Sequence, residues 1–177
     1  MLSINEGVIA ADAAGQSITI AGSSVTNAGR IEAAAGTIRV SSPGFRNDGI
    51  FAVLSGTTAT ASSIVNFGTI DVQNGGLLNV TGSFTNDSSG FVQTSIAGST
   101  LSALGRISIS GETNLDGTIK LRLVDGYLPP LGQTLRVITY GSRLGSFAAL
   151  SDLDPADGVT YEVVYNPADL TLLVVPG

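Results

Sequence analysis

The sequence predicts an all-β protein: a right-handed parallel β-helix (β-solenoid) with three short strands per coil of about 20 residues, closed by a C-terminal β cap. Three observations predict it. Asparagines fall at positions 5, 27, 47, 66 and 86, so that successive positions differ by 22, 20, 19 and 20. A second glycine-led pattern sits between them: Gly15 before Ile18 and Ile20, Gly36 before Ile38 and Val40, Gly56 before Thr58 and Thr60, Gly76 before Leu78 and Val80. The composition, with 23 Gly, only 6 Pro and 12% charged residues, favours short strands and tight turns over amphipathic helices. The longest helix-compatible run, 31–35, meets Gly36 at once.

Taken in order, the coils begin with a partial copy of the repeat at 5–10. The full pattern apolar-x-Asn-x-Gly-x-apolar-x-small follows at 25–33 (VTNAGRIEA), 45–53 (FRNDGIFAV) and 64–72 (IVNFGTIDV). A degraded copy occupies 84–90 (FTNDSSG). One such unit cannot satisfy its own backbone N–H and C=O groups, which point along the axis and pair only when another coil stacks about 4.8 Å away. Stacking brings like residues together. It predicts one core column of Val25, Phe45, Ile64 and Phe84, and a second of Ile31, Phe51 and Ile70. Asn27, Asn47, Asn66 and Asn86 share the parity of these columns, which predicts an inward or turn-edge ladder of side-chain amides hydrogen-bonded from coil to coil. The glycine two residues after each asparagine is expected to take a left-handed conformation at the bend.

After Leu104 the coil period fails. Longer strands are expected at 106–110, 117–124, 134–139, 160–165 and 169–175, with alternation clear in Ile119, Leu121, Leu123 and in Leu170, Leu172, Val174. The run Asn166-Pro167-Ala168-Asp169 reads as a hairpin turn. The chain therefore divides into four to five solenoid coils over 1–104 and, over 105–177, a partly antiparallel β region continuous with them that shields the open strand edges of the stack.

Composition narrows the chemistry. A net charge of −6 and a single lysine, Lys120, exclude the clustered cations that nucleic acid or an anionic membrane surface requires. No apolar run is long enough for a membrane span, so direct membrane insertion is not expected. There is no basic-then-apolar leader, and the chain reads as a mature or excised piece of an exported protein. With 0 His and 0 Cys, the usual general base, thiol nucleophile and zinc ligands are missing, and no cofactor is expected.

The stretch 126–147 (GYLPPLGQTLRVITYGSRLGSF) resembles the C-terminal end of bacterial autotransporter passengers, and the Asn-x-Gly coils are similar to those of filamentous-haemagglutinin-like and autotransporter solenoids. The resemblance implies a passenger of an extracellular or bacterial outer-surface protein, whose C-terminal region caps the helix and assists folding of the coils. It also implies a non-enzymatic structural or adhesive module, with a host surface protein, a glycan or another copy of itself as partner. Two rival expectations stand beside it: a carbohydrate-active β-helix enzyme using outward carboxylates, and a passenger domain that only assists secretion or folding.

Few residues could carry catalysis or ligand binding. Glu32 and Asp71 are expected at equivalent outward positions with Ala52 between them, about 9.6 Å apart at twice the strand spacing, near the upper limit for an inverting glycosidase pair. No aromatic sugar platform accompanies them, and a solvated acidic face is the plainer reading. Asp152, Asp154 and Asp157 offer oxygens to calcium, although their spacing departs from the EF-hand loop. Arg30, Arg39 and Arg46, interspersed with Glu32 and Asp48, are expected to form solvated ion pairs. Thr57, Thr58 and Thr60 do not extend into an ice-binding face if their equivalents are Ile38, Val40, Leu78 and Val80.

Overall fold

The computed structural model describes residues 2–153 and 158–177. Strands of three or more residues follow one another with tight turns between them, and the helical content of the described residues is one short 3₁₀ turn, Leu101–Ala103. The first coil is β1 (Leu2–Asn5), β2 (Val8–Ala11) and β3 (Ser17–Ala21). The second is β4 (Ser24–Asn27), β5 (Arg30–Ala33) and β6 (Thr37–Ser41), and the third is β7 (Gly44–Asn47), β8 (Ile50–Val53) and β9 (Thr58–Ala61). The fourth is β10 (Ile64–Asn66), β11 (Thr69–Val72) and β12 (Leu77–Val80), and the fifth is β13 (Phe84–Asn86), β14 (Phe91–Ile96) and β15 (Arg106–Ile109). The sixth is β16 (Glu112–Leu115), β17 (Thr118–Leu123) and β18 (Thr134–Thr139). A seventh turn contributes β19 (Ser142–Gly145) and β20 (Ala149–Asp152) before the chain ends in β21 (Val159–Tyr165) and β22 (Asp169–Pro176).

Corresponding strands stack into three walls. The first runs β1-β4-β7-β10-β13-β16-β19, and the second β2-β5-β8-β11-β14-β17-β20. The third runs β3-β6-β9-β12-β15-β18 and is completed by β22 and β21. Among the described strands all pairings between coils are parallel, and β18 with β22 and β22 with β21 are antiparallel. The chain is a parallel β-solenoid.

Register places like residues on top of each other. Val25 faces Phe45, Ile64 faces Phe84, and Ile31, Phe51 and Ile70 follow one another, each at most 2% exposed. The third wall contributes Ile18, Ile38, Ala59, Leu78, Ile107 and Ile138 in register. This corrects the reading of coil three by one residue: Ala59 and Ala61 point inward, and Thr58 and Thr60 pair with Leu77 and Asn79 on the outer face. The cause is volume. Coil three already holds two phenylalanines, Phe45 and Phe51, packed edge to face at 5.6 Å between ring centroids, and a close-packed interior leaves only alanine-sized space on the remaining wall. Outward Thr58 and Thr60 still form no threonine array, because Arg39, Leu77 and Asn79 interrupt the rows.

The glycines after the asparagines are not left-handed. Positive φ occurs instead at Gly15, Gly56 and Gly75, in the turns between the second and third walls. Gly29, Gly49 and Gly68 are required for a different reason. A Cβ on Gly49 would sit 2.0 Å from the carbonyl oxygen of Gly29, and one on Gly68 would sit 2.1 Å from that of Gly49. Successive backbones touch at this corner, and only hydrogen fits.

Residue 104 is not a boundary in strand pairing. The parallel stack continues through β20, well past the four to five coils expected, and among the described strands antiparallel pairing enters with the final hairpin, within it and where it docks on β18. The lengthened repeat comes from two excursions, 97–105 and 124–133, both between the second and third walls. Phe84 is thus followed in its column by Thr113, and Thr113 by Arg143, each at a longer step along the chain than the one from Ile64 to Phe84. The hairpin turn at 166–169 is held by Asn166 N–H to Asp169 O at 2.8 Å and Asn166 Nδ2 to Asp169 Oδ1 at 2.6 Å. The Tyr140 hydroxyl reaches both flanking carbonyls, of Asn166 and Asp169, at 2.7 Å.

Candidate functional site

The asparagines form an internal file. Each Nδ2 donates to the Oδ1 of the next: Asn5 to Asn27 at 2.8 Å, Asn27 to Asn47 at 2.7 Å, Asn47 to Asn66 at 2.8 Å and Asn66 to Asn86 at 2.6 Å. The second amide hydrogen goes to a backbone carbonyl of the neighbouring coil, as from Asn27 to Ile50 O at 2.9 Å and from Asn47 to Thr69 O at 3.1 Å. The file ends at Asn86, whose Nδ2 turns to Asp116 O at 2.7 Å and Gly90 O at 3.0 Å. Asn27, Asn47, Asn66 and Asn86 are at most 1% exposed, so they meet neither substrate nor partner. Their chemistry is structural: an amide offers donor and acceptor on opposite sides, which lets identical residues chain indefinitely.

The outer face of the second wall carries the carboxylate pair. Glu32, Ala52, Asp71, Gln93 and Lys120 stand in one row, and Ala52 is fully covered. Glu32 is engaged by Arg30 Nε at 2.5 Å. Asp71 accepts from Gln93 Nε2 at 3.0 Å, and burial lifts its carboxyl above the usual range against the opposing pull of Arg122 and its glutamine neighbours. Lys120 lies over the Phe91 ring, 3.6 Å from its centroid. The row is a set of locally satisfied groups.

Arg46 pairs with Asp48 at 2.8 Å and stacks on Phe67 at 4.0 Å, whereas Arg39 Nε donates to Ser41 Oγ at 3.1 Å. Two of the three arginines read as ion-paired are therefore so, each with the acid two residues on. Asp154 and Asp157 of the calcium expectation lie outside the described residues. Among the described residues no group of three His, Cys, Asp or Glu side chains could hold a metal ion, and no helix is long and apolar enough to cross a membrane.

Two hollows of the described surface lie where the repeat changes length. One of about 410 Å³ opens beside the turns after β13 and β16, with Asp87 and Asp116 on its wall. Both carboxylates are used locally, Asp87 by Ser88 Oγ at 3.2 Å and Ser89 N–H at 3.2 Å, Asp116 by Gly117 N–H at 2.7 Å. The other, about 150 Å³, lies on the outer face of the third wall over β12, β15 and β18. Arg106 and Arg136 line it together with Leu77, Leu101, Asn79 and Ser108.

That second hollow was not foreseen from the sequence. Its signals were present: Arg106 and Arg136 have no acidic residue beside them in the chain, and Leu101 belongs to the segment that breaks the coil period. Insertions in a solenoid map to loops on one face, and the 97–105 excursion supplies this wall. Its base is pinned by Ala97 N–H to Ala103 O at 2.9 Å and Gly105 N–H to Ser95 O at 2.8 Å.

Fold and surface together define a parallel β-solenoid built on an internal amide file. Compared with known proteins, the chain matches no family model and no curated sequence.

Proposed function

We propose that this chain is a non-enzymatic structural and adhesive module of a bacterial cell-surface or secreted protein, similar to an autotransporter passenger or a filamentous-haemagglutinin-like solenoid. The observation that carries the reading is the uninterrupted register of the stack from β1 to β20, which turns a short chain into a stiff rod with three long faces. The outward charged groups support it, because Glu32, Asp48 and Asp71 are spent on neighbours instead of converging on a reaction centre. The partner is a host surface protein or glycan, or a second copy of the chain, and the working place is the extracellular side.

Adhesion assays test this directly. Beads coated with the chain should be retained on a host epithelial surface in a saturable manner, and soluble chain should compete. Absence of retention on cells, with no filaments by electron microscopy, would overturn it. Release of reducing ends from a polysaccharide, abolished by Glu32→Ala and Asp71→Ala, would instead establish the carbohydrate-active enzyme.

A further inference from the structure

On the third wall the acidic residues are confined to the two antiparallel strands, Glu162 in β21 and Asp169 in β22. None of β3, β6, β9, β12, β15 and β18 contains an acidic residue, although the protein carries a net charge of −6. Their outer face presents Arg39, Arg106 and Arg136 among serines, threonines and Asn79. Inward Ile107 and Leu135, at most 3% exposed, fix the outward direction of Arg106 and Arg136 on adjacent strands. A β-bulge between Arg136 and Ile138 adds Val137, which is 2% exposed and lines the hollow between them.

Two features of this hollow lack an internal explanation. Two guanidinium groups line it from neighbouring strands, and no carboxylate stands among the described lining residues. The Nε of Arg106 is also buried without a hydrogen-bond partner, which leaves the terminal N–H groups as the donors that a group in the hollow can reach. The nearest acids of the sheet are committed or remote. Asp169, opposite Thr139, accepts from Asn166, and Glu162 lies on the outermost strand.

We propose that this hollow is an oxyanion-binding site, which takes a sulfate or carboxylate group between Arg106 and Arg136. The terminal N–H groups of Arg106 can donate to the oxygens of such a group. Arg136 neutralises the second side, and Asn79, Ser108 and Thr139 offer further hydrogen bonds at the rim. Leu77 and Leu101 are apolar walls that lower the local dielectric and strengthen the charge contact. A volume of about 150 Å³ admits a single such group, not a whole oligosaccharide, so an acidic saccharide would insert its substituent and leave its rings on the flat face outside. The site stands apart from the adhesive reading, since a free anion would occupy it in a protein that adhered to nothing.

The test is a titration of the ¹⁵N-labelled chain at constant ionic strength with sodium sulfate, sodium acetate and a sulfated hexasaccharide, following the Arg106 Nε–H and the amides of Ser108 and Thr139 by NMR. Saturable shifts confined to this patch are expected. They should weaken at least tenfold in Arg106→Gln and in Arg136→Gln and persist in Arg39→Gln, whose side chain is on the same face but outside the hollow. Unchanged thermal melts would show that the variants fold. A hexasaccharide that binds at least tenfold more tightly than sulfate makes a glycan the source of the oxyanion, and equal affinities make it a free anion; either supports the site. No saturable shift with any of the three, or equal shifts in the Arg106→Gln protein, would overturn it.

Discussion

The early coils and the late coils solve the same packing problem with different materials. Through β14 the asparagines recur every 19 to 22 residues, and the corner between the first and second walls is fixed by an asparagine and a glycine in every coil. Beyond it the asparagine file has ended, the column that held Phe84 continues as Thr113 and Arg143, and each turn is markedly longer. The strands nevertheless stay in register. The added residues leave the stack between walls, so the ladder of backbone hydrogen bonds does not register their presence. A solenoid is thus specified by what lies in its strands and corners, whereas the lengths between corners are free to build surface features such as the arginine hollow.

The largest effects should come from the early corner. Gly49→Ala places a methyl against the Gly29 carbonyl and should cost about 3 kcal/mol in urea unfolding. Gly126→Ala, in an open turn at φ +68°, should cost only about 1 kcal/mol from the left-handed backbone. Equal losses would mean that close approach between coils is not what the corner glycine serves. Asn47→Leu should be nearly as damaging, by about 2–3 kcal/mol, because it strands the Asn27 donor, the Asn66 acceptor and the Thr69 carbonyl. The outward residue Asn114 is the control: Asn114→Leu should change stability by less than about 0.5 kcal/mol.

The late coils should respond in the opposite direction. Thr113 is fully buried and its hydroxyl has no partner. Thr113→Val keeps the shape and removes the orphan, so a stabilisation of about 1 kcal/mol is expected from denaturant midpoints. A loss instead would show that the hydroxyl is bonded in solution.

Tyr161 gives the smallest effect and a pH signature. Its hydroxyl is buried without a partner, and burial, with Asp152 and Tyr127 adding to it, pushes its pKa up to about 12. Since the unfolded phenol ionises near 10, the raised value means that the unfolded chain loses its proton first. Stability is therefore fully present below pH about 10 and falls as the pH rises toward about 12. Tyr161→Phe should flatten that decline and leave neutral-pH stability within about 1 kcal/mol. An unchanged alkaline slope would place its cause elsewhere.

The repeat was legible where the sequence obeys it. The columns through Val25 and Ile31 and the file of asparagines follow from spacing alone, because side-chain parity and coil length translate directly into stacking. Register on the third wall was misread at Thr58 and Thr60, since a turn one residue longer cannot be told from a strand that starts one residue earlier, and small inward alanines do not look like core. The continuation past Leu104 was hidden for a related reason. Strands β16, β19 and β20 are four residues each, β19 and β20 bury none of theirs fully, and all three become strands because a preformed edge waits for them. The hollow left only scattered signals because Arg106 and Arg136 are far apart along the chain and come to line one surface only through a lengthened coil.

Nuclear Overhauser contacts between backbone groups of successive coils test the stacking most directly. One file should run Phe45, Ile64, Phe84, Thr113 and Arg143, with contacts between each neighbour and none skipped, across the change in repeat length. A file that stopped at Phe84, with Thr113 and Arg143 elsewhere, would contradict a single continuous stack.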